Sequence, residues 1–235
     1  MTKLTLDFET SSAVDLKTVG AWMYSRHPST EVMCVGWNGG QWQRGQPAPT
    51  GLFADIVIAD EVEAHNAFFE FSIWMNICVE RYDWPVIPHD MWRCSAAKAA
   101  ACSVPRGLGD AGRVLNLATV KDEAYGKWEM MKLSRGKVGD WEKMLEYNRT
   151  DVLAEEALSR ALPDLSEVEL EVWRASERMN RRGFAVDIAG CRNAVRLAGE
   201  HAEKLTAEFH DITGLDTAGQ RAKFIVWLAS KKVVI

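Results

Sequence analysis

The chain has 235 residues, of which 47% are hydrophobic, and its formal net charge is −5. This length is enough for one full domain and a smaller second one, and the apolar content is ample for a core. The sequence pI near 5.6 argues against wrapping of duplex nucleic acid by bulk electrostatics, which leaves a basic footprint. It does not exclude a protein that holds a few nucleotides of a single strand.

The cysteines and the hydropathy pattern indicate in which cellular compartment the protein is expected. The five cysteines form no CxxC pair, which predicts reduced thiols, no disulfides and no zinc site. No apolar run approaches the roughly 18 residues that a membrane span needs, and the first residues enter a strand pattern directly. We therefore expect a soluble, cytoplasmic protein without a signal sequence.

The first predicted strand ends in two acids. In residues 2–9, Leu4, Leu6 and Phe8 alternate with polar residues. A period of two predicts a strand, and it places Asp7 and Glu9 on the same side. Two carboxylates then converge at one place.

The segments that follow predict a mixture of strands and helices. Helical or ordered segments are predicted at residues 14–26, 52–59 and 67–82, a hairpin at 31–38 and 40–44 around Asn38-Gly39-Gly40, and a short buried strand at 62–65. Asn66 is the predicted N-cap of the helix at 67–82. Glu70 lies in the first turn of that helix, which directs its carboxylate toward the end of the preceding strand.

Helices dominate the remainder of the first 164 residues. Residues 93–101, 108–115 and 140–161 are predicted to be helical, and residues 126–139 to be irregular. Tyr147 and Asp151 are four residues apart in the helix at 140–161, so they share one face. Strands followed by mixed strands and helices favour an α/β layered domain.

A new unit is predicted to begin near residue 165. Pro163 interrupts the pattern, and Ser166 with Glu169 forms a capping box before an amphipathic run that ends at Gly183. Residues 188–212 and 220–230 keep helical spacing as well. This all-helical C-terminal extension is expected to pack on the first domain or on a partner.

Three ordered motifs, Asp7-Phe8-Glu9-Thr10, Asn66 to Glu70 and Tyr147 to Asp151, resemble the exonuclease motifs of the DEDD nucleases, in the subgroup with Tyr in the third motif. More closely, the segments LDFET, AHNAFFEFSIW, KDEAYGKWEMMK and YNRTDV resemble the proofreading 3′–5′ exonuclease domain of phage-type family-A DNA polymerases. The resemblance covers residues 1–164 and implies an RNase H-like α/β fold, with a mixed five-stranded sheet flanked by helices. Residues 165–235 resemble the start of the polymerase domain, without the polymerase catalytic motifs.

The resemblance implies a site that holds two divalent metal ions, Mg²⁺ or Mn²⁺. Asp7 would bridge both ions, Glu9 and Asp151 would complete the tighter site, and Tyr147 with Glu9 would orient the attacking water. Glu70 would serve the second ion, although the family usually has the shorter Asp there. The implied substrate-binding residues are three: Thr10 at the terminal nucleotide, Asn66 at the motif backbone or the substrate, and Phe69 at the sugar or base.

The expected activity is hydrolysis of single-stranded DNA or primer 3′ ends to nucleoside 5′-monophosphates, as in proofreading, within a bacterial or phage-infected cell. Two alternatives stay open. One is a 3′–5′ exoribonuclease, since nothing in the motifs reads a 2′-hydroxyl. The other is a non-catalytic module that binds primer ends or a separate polymerase chain. The motifs also leave open whether this is a free-standing enzyme, a split-polymerase subunit or a piece of a longer polymerase.

Overall fold

A five-stranded mixed sheet forms the centre of the computed structural model, which describes residues 2–118, 132–133 and 139–233. The strands are β1 (Lys3–Ser11), β2 (Glu31–Trp37), β3 (Gly40–Gln43), β4 (Glu61–Ala64) and β5 (Trp92–Cys94), in the order β3-β2-β1-β4-β5. The central β1 pairs antiparallel with β2 and parallel with β4. The predicted mixed five-stranded sheet is confirmed.

Helices flank this sheet and follow it. They are α1 (Leu16–Arg26), α2 (Thr50–Ile58), α3 (Phe68–Ile73), α4 (Glu80–Tyr82), α5 (Ser95–Ala101), α6 (Leu108–Val114), α7 (Trp141–Ala161), α8 (Glu167–Arg182), α9 (Ile188–Thr213) and α10 (Arg221–Ser230). A π-helical segment, Trp74–Val79, joins α3 to α4. The KDEAYGKWEMMK segment and the predicted irregular stretch at 126–139 lie almost wholly outside the described residues.

The hydrophobic core lies against β1, as the alternating pattern predicts. Leu4, Leu6 and Phe8 are all buried, with Leu6 completely inaccessible to solvent. Aromatic rings extend this core, because Phe8 contacts Trp74 at 6.2 Å between ring centroids, and Trp74 contacts Trp84 edge-on at 5.4 Å. Such tilted pairs add to the stabilisation that comes from their buried area. The core thus supports the strand that carries the two acids.

One predicted helix begins too early. Residues 93–101 were expected to be helical throughout, but Trp92–Cys94 form β5, and only Ser95–Ala101 are helical. β5 pairs parallel with β4, with Val62 opposite Trp92. A three-residue strand is too short to show a period of its own, so its conformation depends on the tertiary pairing with β4.

Helix α7 crosses β1 and β2 and brings its residues to the sheet. Its N-terminus is capped by Asp140, whose carboxylate accepts a hydrogen bond of 3.2 Å from the Lys143 N–H. Gly36 on β2 permits the close approach of the helix, since a Cβ at this position would collide with the Asn148 side chain. Sheet and helix are therefore in contact at the position of the acids.

The chain divides into two compact units, Met1–Arg182 and Gly183–Ile235. Helix α8 belongs to the first unit, where Trp173 packs against the main core. The capping box that was predicted for this helix is present: the Glu169 N–H donates to Ser166 Oγ, and the Ser166 N–H donates to the Glu169 carboxylate. The predicted helical C-terminal part is confirmed.

The second unit consists of α9 and α10. The rings of Phe209 and Phe224 join the two helices at 5.3 Å, and neither helix contains a buried residue. Large apolar side chains such as Val195 and Leu205 are exposed along α9. Of the helices that the structure describes, none is both long enough and apolar enough to pass through a bilayer.

Helix α8 places one acid in a poorly solvated position. Partial burial raises the pKa of Glu177 from 4.5 to about 7, and the positive charge of Arg106 only partly opposes this effect. The folded state holds the proton of Glu177 more tightly than the unfolded state does. The resulting contribution to the free energy of unfolding is therefore complete below pH 4.5. That contribution is lost as the pH rises through about 7.

We therefore expect Glu177→Gln to stabilise the protein at pH 8 relative to the wild type, and to have little effect near pH 4.5. Thermal unfolding at a series of pH values measures the difference in Tm. Glu171→Gln is the matched control, because Glu171 is an exposed acid on the same helix. A difference in Tm that is constant across the pH range would contradict the prediction.

Candidate active site

Two acids of the candidate site come from the second half of β1. Asp7 lies opposite Gly36 and Glu9 opposite Cys34, and the register shifts between Glu9 and Thr10. Such irregularities bend a strand and often re-aim the side chains next to them. Asp7 is partly buried, and Glu9 is 9% exposed. The predicted strand places both carboxylates toward α7.

The third acid comes from α7. Asp151 is 1% exposed, and Tyr147, one helical turn before it, is also buried. One carboxylate oxygen from each of Asp7, Glu9 and Asp151 lies within 4.8 Å of the others. Two elements that are distant in sequence therefore converge to form one acidic group.

Glu70 approaches the group from the end of β4. It lies in the first turn of α3 and is 3% exposed. Glu70 does not belong to the set of three oxygens within 4.8 Å. Its charge is nevertheless near enough to act together with Asp7 and Asp151 on a further acid, Glu155.

Asn66 adopts a different role from the predicted one. It lies in the left-handed region, at φ 67°, and Ala67 occupies the cap position of α3 without a side-chain hydrogen bond. Asn tolerates this conformation better than most residues because its short polar side chain can bond locally. The prediction of an Asn66 cap was therefore wrong, and this exposed residue turns the chain from β4 into α3.

His65, the residue before this turn, has both ring nitrogens engaged. Nδ1 lies 2.9 Å from Ser95 Oγ, and Nε2 lies 2.7 Å from the carbonyl oxygen of Arg106. Because a carbonyl oxygen can only accept, Nε2 carries a proton and donates it to this hydrogen bond. Neighbouring groups therefore hold both nitrogens of the His65 ring.

Glu155 is a further buried acid that the sequence motifs did not indicate. Burial raises the pKa of Glu155 well above its ordinary value, and the charges of Asp7, Glu70 and Asp151 raise it further. Its Oε2 accepts a hydrogen bond of 3.1 Å from the His65 N–H, which only partly opposes the rise. Burial and the neighbouring acids therefore both favour the protonated form of Glu155.

The three candidate substrate-binding residues do not form one cluster. Thr10 Oγ1 lies 3.0 Å from the Tyr24 hydroxyl, and the ring of Tyr24 lies 6.0 Å from that of Phe69. Tyr24 is thus a link between Thr10 and Phe69 that the motifs did not reveal. Asn66 instead lines a cavity of about 480 Å³ with Arg106 and residues of α6.

The arrangement is suited to divalent cations. Its donors are carboxylate oxygens only, which are the ligands that Mg²⁺ and Mn²⁺ prefer. Several buried carboxylates in one place repel one another, and this cost falls when protons or cations neutralise them. Burial and the neighbouring acids raise the pKa of Glu155, and the three converging oxygens of Asp7, Glu9 and Asp151 form the candidate cation site.

Fold and site together define the chain as an α/β domain with a largely buried acidic cluster that could bind metal ions. No protein-family model matches the sequence. The chain is 24% identical to a DNA polymerase of Bacillus phage SP02, over an alignment of 262 residues that includes all of this chain. It spans 40% of the length of that polymerase. The similarity is consistent with a polymerase-derived domain that has a polymerase-associated role.

Proposed function

We propose that this protein is a two-metal-ion 3′–5′ exonuclease, with an RNase H-like fold, that removes nucleotides from single-stranded DNA or primer 3′ ends. The observation that carries the proposal is the convergence of Asp7, Glu9 and Asp151 within 4.8 Å. Because the relative is a DNA polymerase, we propose DNA as the substrate and proofreading as the biological role. The exonuclease unit is residues 1–164, and residues 165–235 correspond to the start of a polymerase domain.

The residues of the site have two roles, which are binding the cations and orienting the attacking water. Asp7, Glu9 and Asp151 would hold the cations, and Glu70 would contribute to the second of them. Bound divalent ions supply a nucleophile at neutral pH and stabilise charge on the leaving oxygen. The Tyr147 hydroxyl, on the same helical face as Asp151, orients the attacking water. Nucleoside 5′-monophosphates are released.

Next to Glu9, Thr10 and Phe69 provide contacts for the terminal nucleotide. Phe69 is partly exposed, and an exposed ring can stack on a base of any sequence, which suits an enzyme without sequence preference. Asn66 contacts the substrate backbone from the turn after β4. The exposed apolar face of α9 is the surface that a polymerase chain or domain would cover.

The direct test uses a 5′-labelled single-stranded DNA oligonucleotide with Mg²⁺ or Mn²⁺. We expect a ladder that shortens from the 3′ end, mononucleotide products, and no reaction in EDTA. A matched RNA oligonucleotide distinguishes the exoribonuclease alternative. Cleavage that survives EDTA contradicts the metal mechanism, and binding in Ca²⁺ without cleavage in Mg²⁺ or Mn²⁺ indicates a non-catalytic module.

A further inference from the structure

Asn148 is a completely buried amide between α7 and the sheet, next to Tyr147 in the chain. Its Nδ2 donates to the Asp7 carboxylate oxygen Oδ2 at 2.8 Å and to the Asp7 backbone carbonyl at 3.1 Å. Its Oδ1 accepts a hydrogen bond of 3.2 Å from Gln41 Nε2. A single side chain therefore connects α7, β1 and β3.

The direction of the Asn148 amide follows from its neighbour. Gln41 Nε2 also lies 2.6 Å from the carbonyl oxygen of Leu145, and because a carbonyl oxygen can only accept, the NH₂ end of the Gln41 amide must face it. The nitrogen of Gln41 therefore faces α7 and donates to Asn148 Oδ1. This turns the N–H groups of Asn148 toward Asp7.

A neutral donor is well suited to this position. An Arg or Lys would also hold the Asp7 carboxylate. Its positive charge, however, would neutralise the negative charge of Asp7 that attracts a cation. An Asp would add repulsion at 2.8 Å. An amide fixes the orientation of the carboxylate and leaves its charge in place, as outer hydrogen-bond partners of metal ligands commonly do.

We propose that Asn148 is a positioning residue, oriented by Gln41, that holds the Asp7 carboxylate in the geometry required for binding a divalent cation. The inference rests on the proposed function, because it assumes that Asp7 is a ligand. Asn148 itself touches neither substrate nor cation. Gly36 is part of this arrangement, because only a residue without a Cβ leaves space for the Asn148 amide.

The test measures Mn²⁺ binding from the decrease in the electron paramagnetic resonance signal of free Mn²⁺. Asn148→Leu keeps a side chain of similar size without any donor. We expect its Kd for Mn²⁺ to increase by about 10- to 100-fold, the usual effect of losing such a partner. Nuclease activity of the variant should recover as Mn²⁺ is raised, because the ligands themselves remain.

Asn76→Leu is the matched control. Asn76, in the π-helical segment, is also a buried asparagine, 4% exposed, but it donates to Ser25 of α1. Both variants should lose thermal stability, and only Asn148→Leu should lose Mn²⁺ affinity. Equal Mn²⁺ affinity in Asn148→Leu and the wild type overturns the inference, whereas a wild-type protein that does not bind Mn²⁺ overturns the proposed function itself.

Gln41→Leu keeps the inference testable if Asn148→Leu does not fold. Gln41 is only partly buried and makes no hydrogen bond to Asp7 among those described for its side chain. Its loss should weaken Mn²⁺ binding by a smaller factor, since it removes only the group that orients Asn148. Unchanged affinity in a folded Gln41→Leu protein overturns the inference.

Discussion

Asp7→Asn is expected to lower the rate of 3′-end hydrolysis by about 10³-fold or more, while the protein remains folded. Replacing a ligand carboxylate removes several kcal/mol of transition-state stabilisation, and each ~1.4 kcal/mol corresponds to a factor of ten in rate. The amide has almost the same size as the carboxylate, and its oxygen can still accept a hydrogen bond from Asn148. The loss should therefore be one of charge rather than of shape.

Thermal stability separates this explanation from simple damage to the fold. In the absence of divalent cations the acids repel one another, as the raised pKa of Glu155, to which burial contributes most, also indicates. Removing the charge of Asp7 should leave the Tm in EDTA unchanged or higher. Conversely, the increase in Tm on adding Mn²⁺ should become smaller, because a ligand that binds only the folded state stabilises it.

Asp211→Asn is the matched control for the rate measurement. Asp211 is an exposed acid on α9, so its substitution should leave the rate unchanged. A rate for Asp7→Asn within about tenfold of the wild type would exclude a ligand role, since that factor corresponds to only ~1.4 kcal/mol. Loss of activity together with a large drop in Tm in EDTA would point to unfolding instead.

The convergence of Asp7, Glu9 and Asp151 could be predicted because the position of each depends on one local period. The alternation of Leu4, Leu6 and Phe8 determines the side of β1 on which Asp7 lies. The four-residue spacing of Tyr147 and Asp151 determines a helical face, and Asp140 marks where that helix begins. Local regularity of this kind is present in the sequence before any tertiary contact forms.

Other parts of the site depend on tertiary contacts and could not be predicted in this way. Asn148 faces Asp7 only because Gly36 lets α7 approach β2, and the motifs contain no sign of that contact. Asn66 likewise adopts a left-handed turn conformation, although asparagine is a residue type that favours the N-cap position. Glu155 could partly have been predicted. It follows Asp151 by four residues, so it lies one turn further along the same helical face.

Lys98 occupies a second buried polar cluster, which lies toward the other end of the sheet from the acids. Its ammonium group donates to the Ser159 carbonyl at 2.9 Å, to Ser159 Oγ at 3.0 Å and to Asp164 at 2.9 Å. It also lies 3.6 Å from Glu63, and Lys98 and Glu63 are 3% and 1% exposed. Helix α5, strand β4, helix α7 and the segment before α8 are thus held together by one charged side chain.

Lys98→Met is expected to reduce the free energy of unfolding by about 3–5 kcal/mol, because it leaves Glu63 as a buried acid with less compensation. For a protein of this size the Tm should fall by roughly 6–20 °C, at about 2–4 °C for each kcal/mol. Chemical denaturation and thermal unfolding both measure the change. Activity per folded molecule should remain, since none of the contacts described for the Lys98 ammonium group is to Asp7, Glu9 or Asp151.

Two further variants distinguish a buried ion pair from general damage to packing. Lys3→Met removes a cation that contacts the same acids from a 24% exposed side chain, so it should cost no more than about 1 kcal/mol. Adding Glu63→Gln to Lys98→Met removes the uncompensated charge and should recover part of the lost stability. If the double variant is instead less stable than Lys98→Met, the destabilisation comes from lost packing, and Glu63 was not the group that Lys98 compensates.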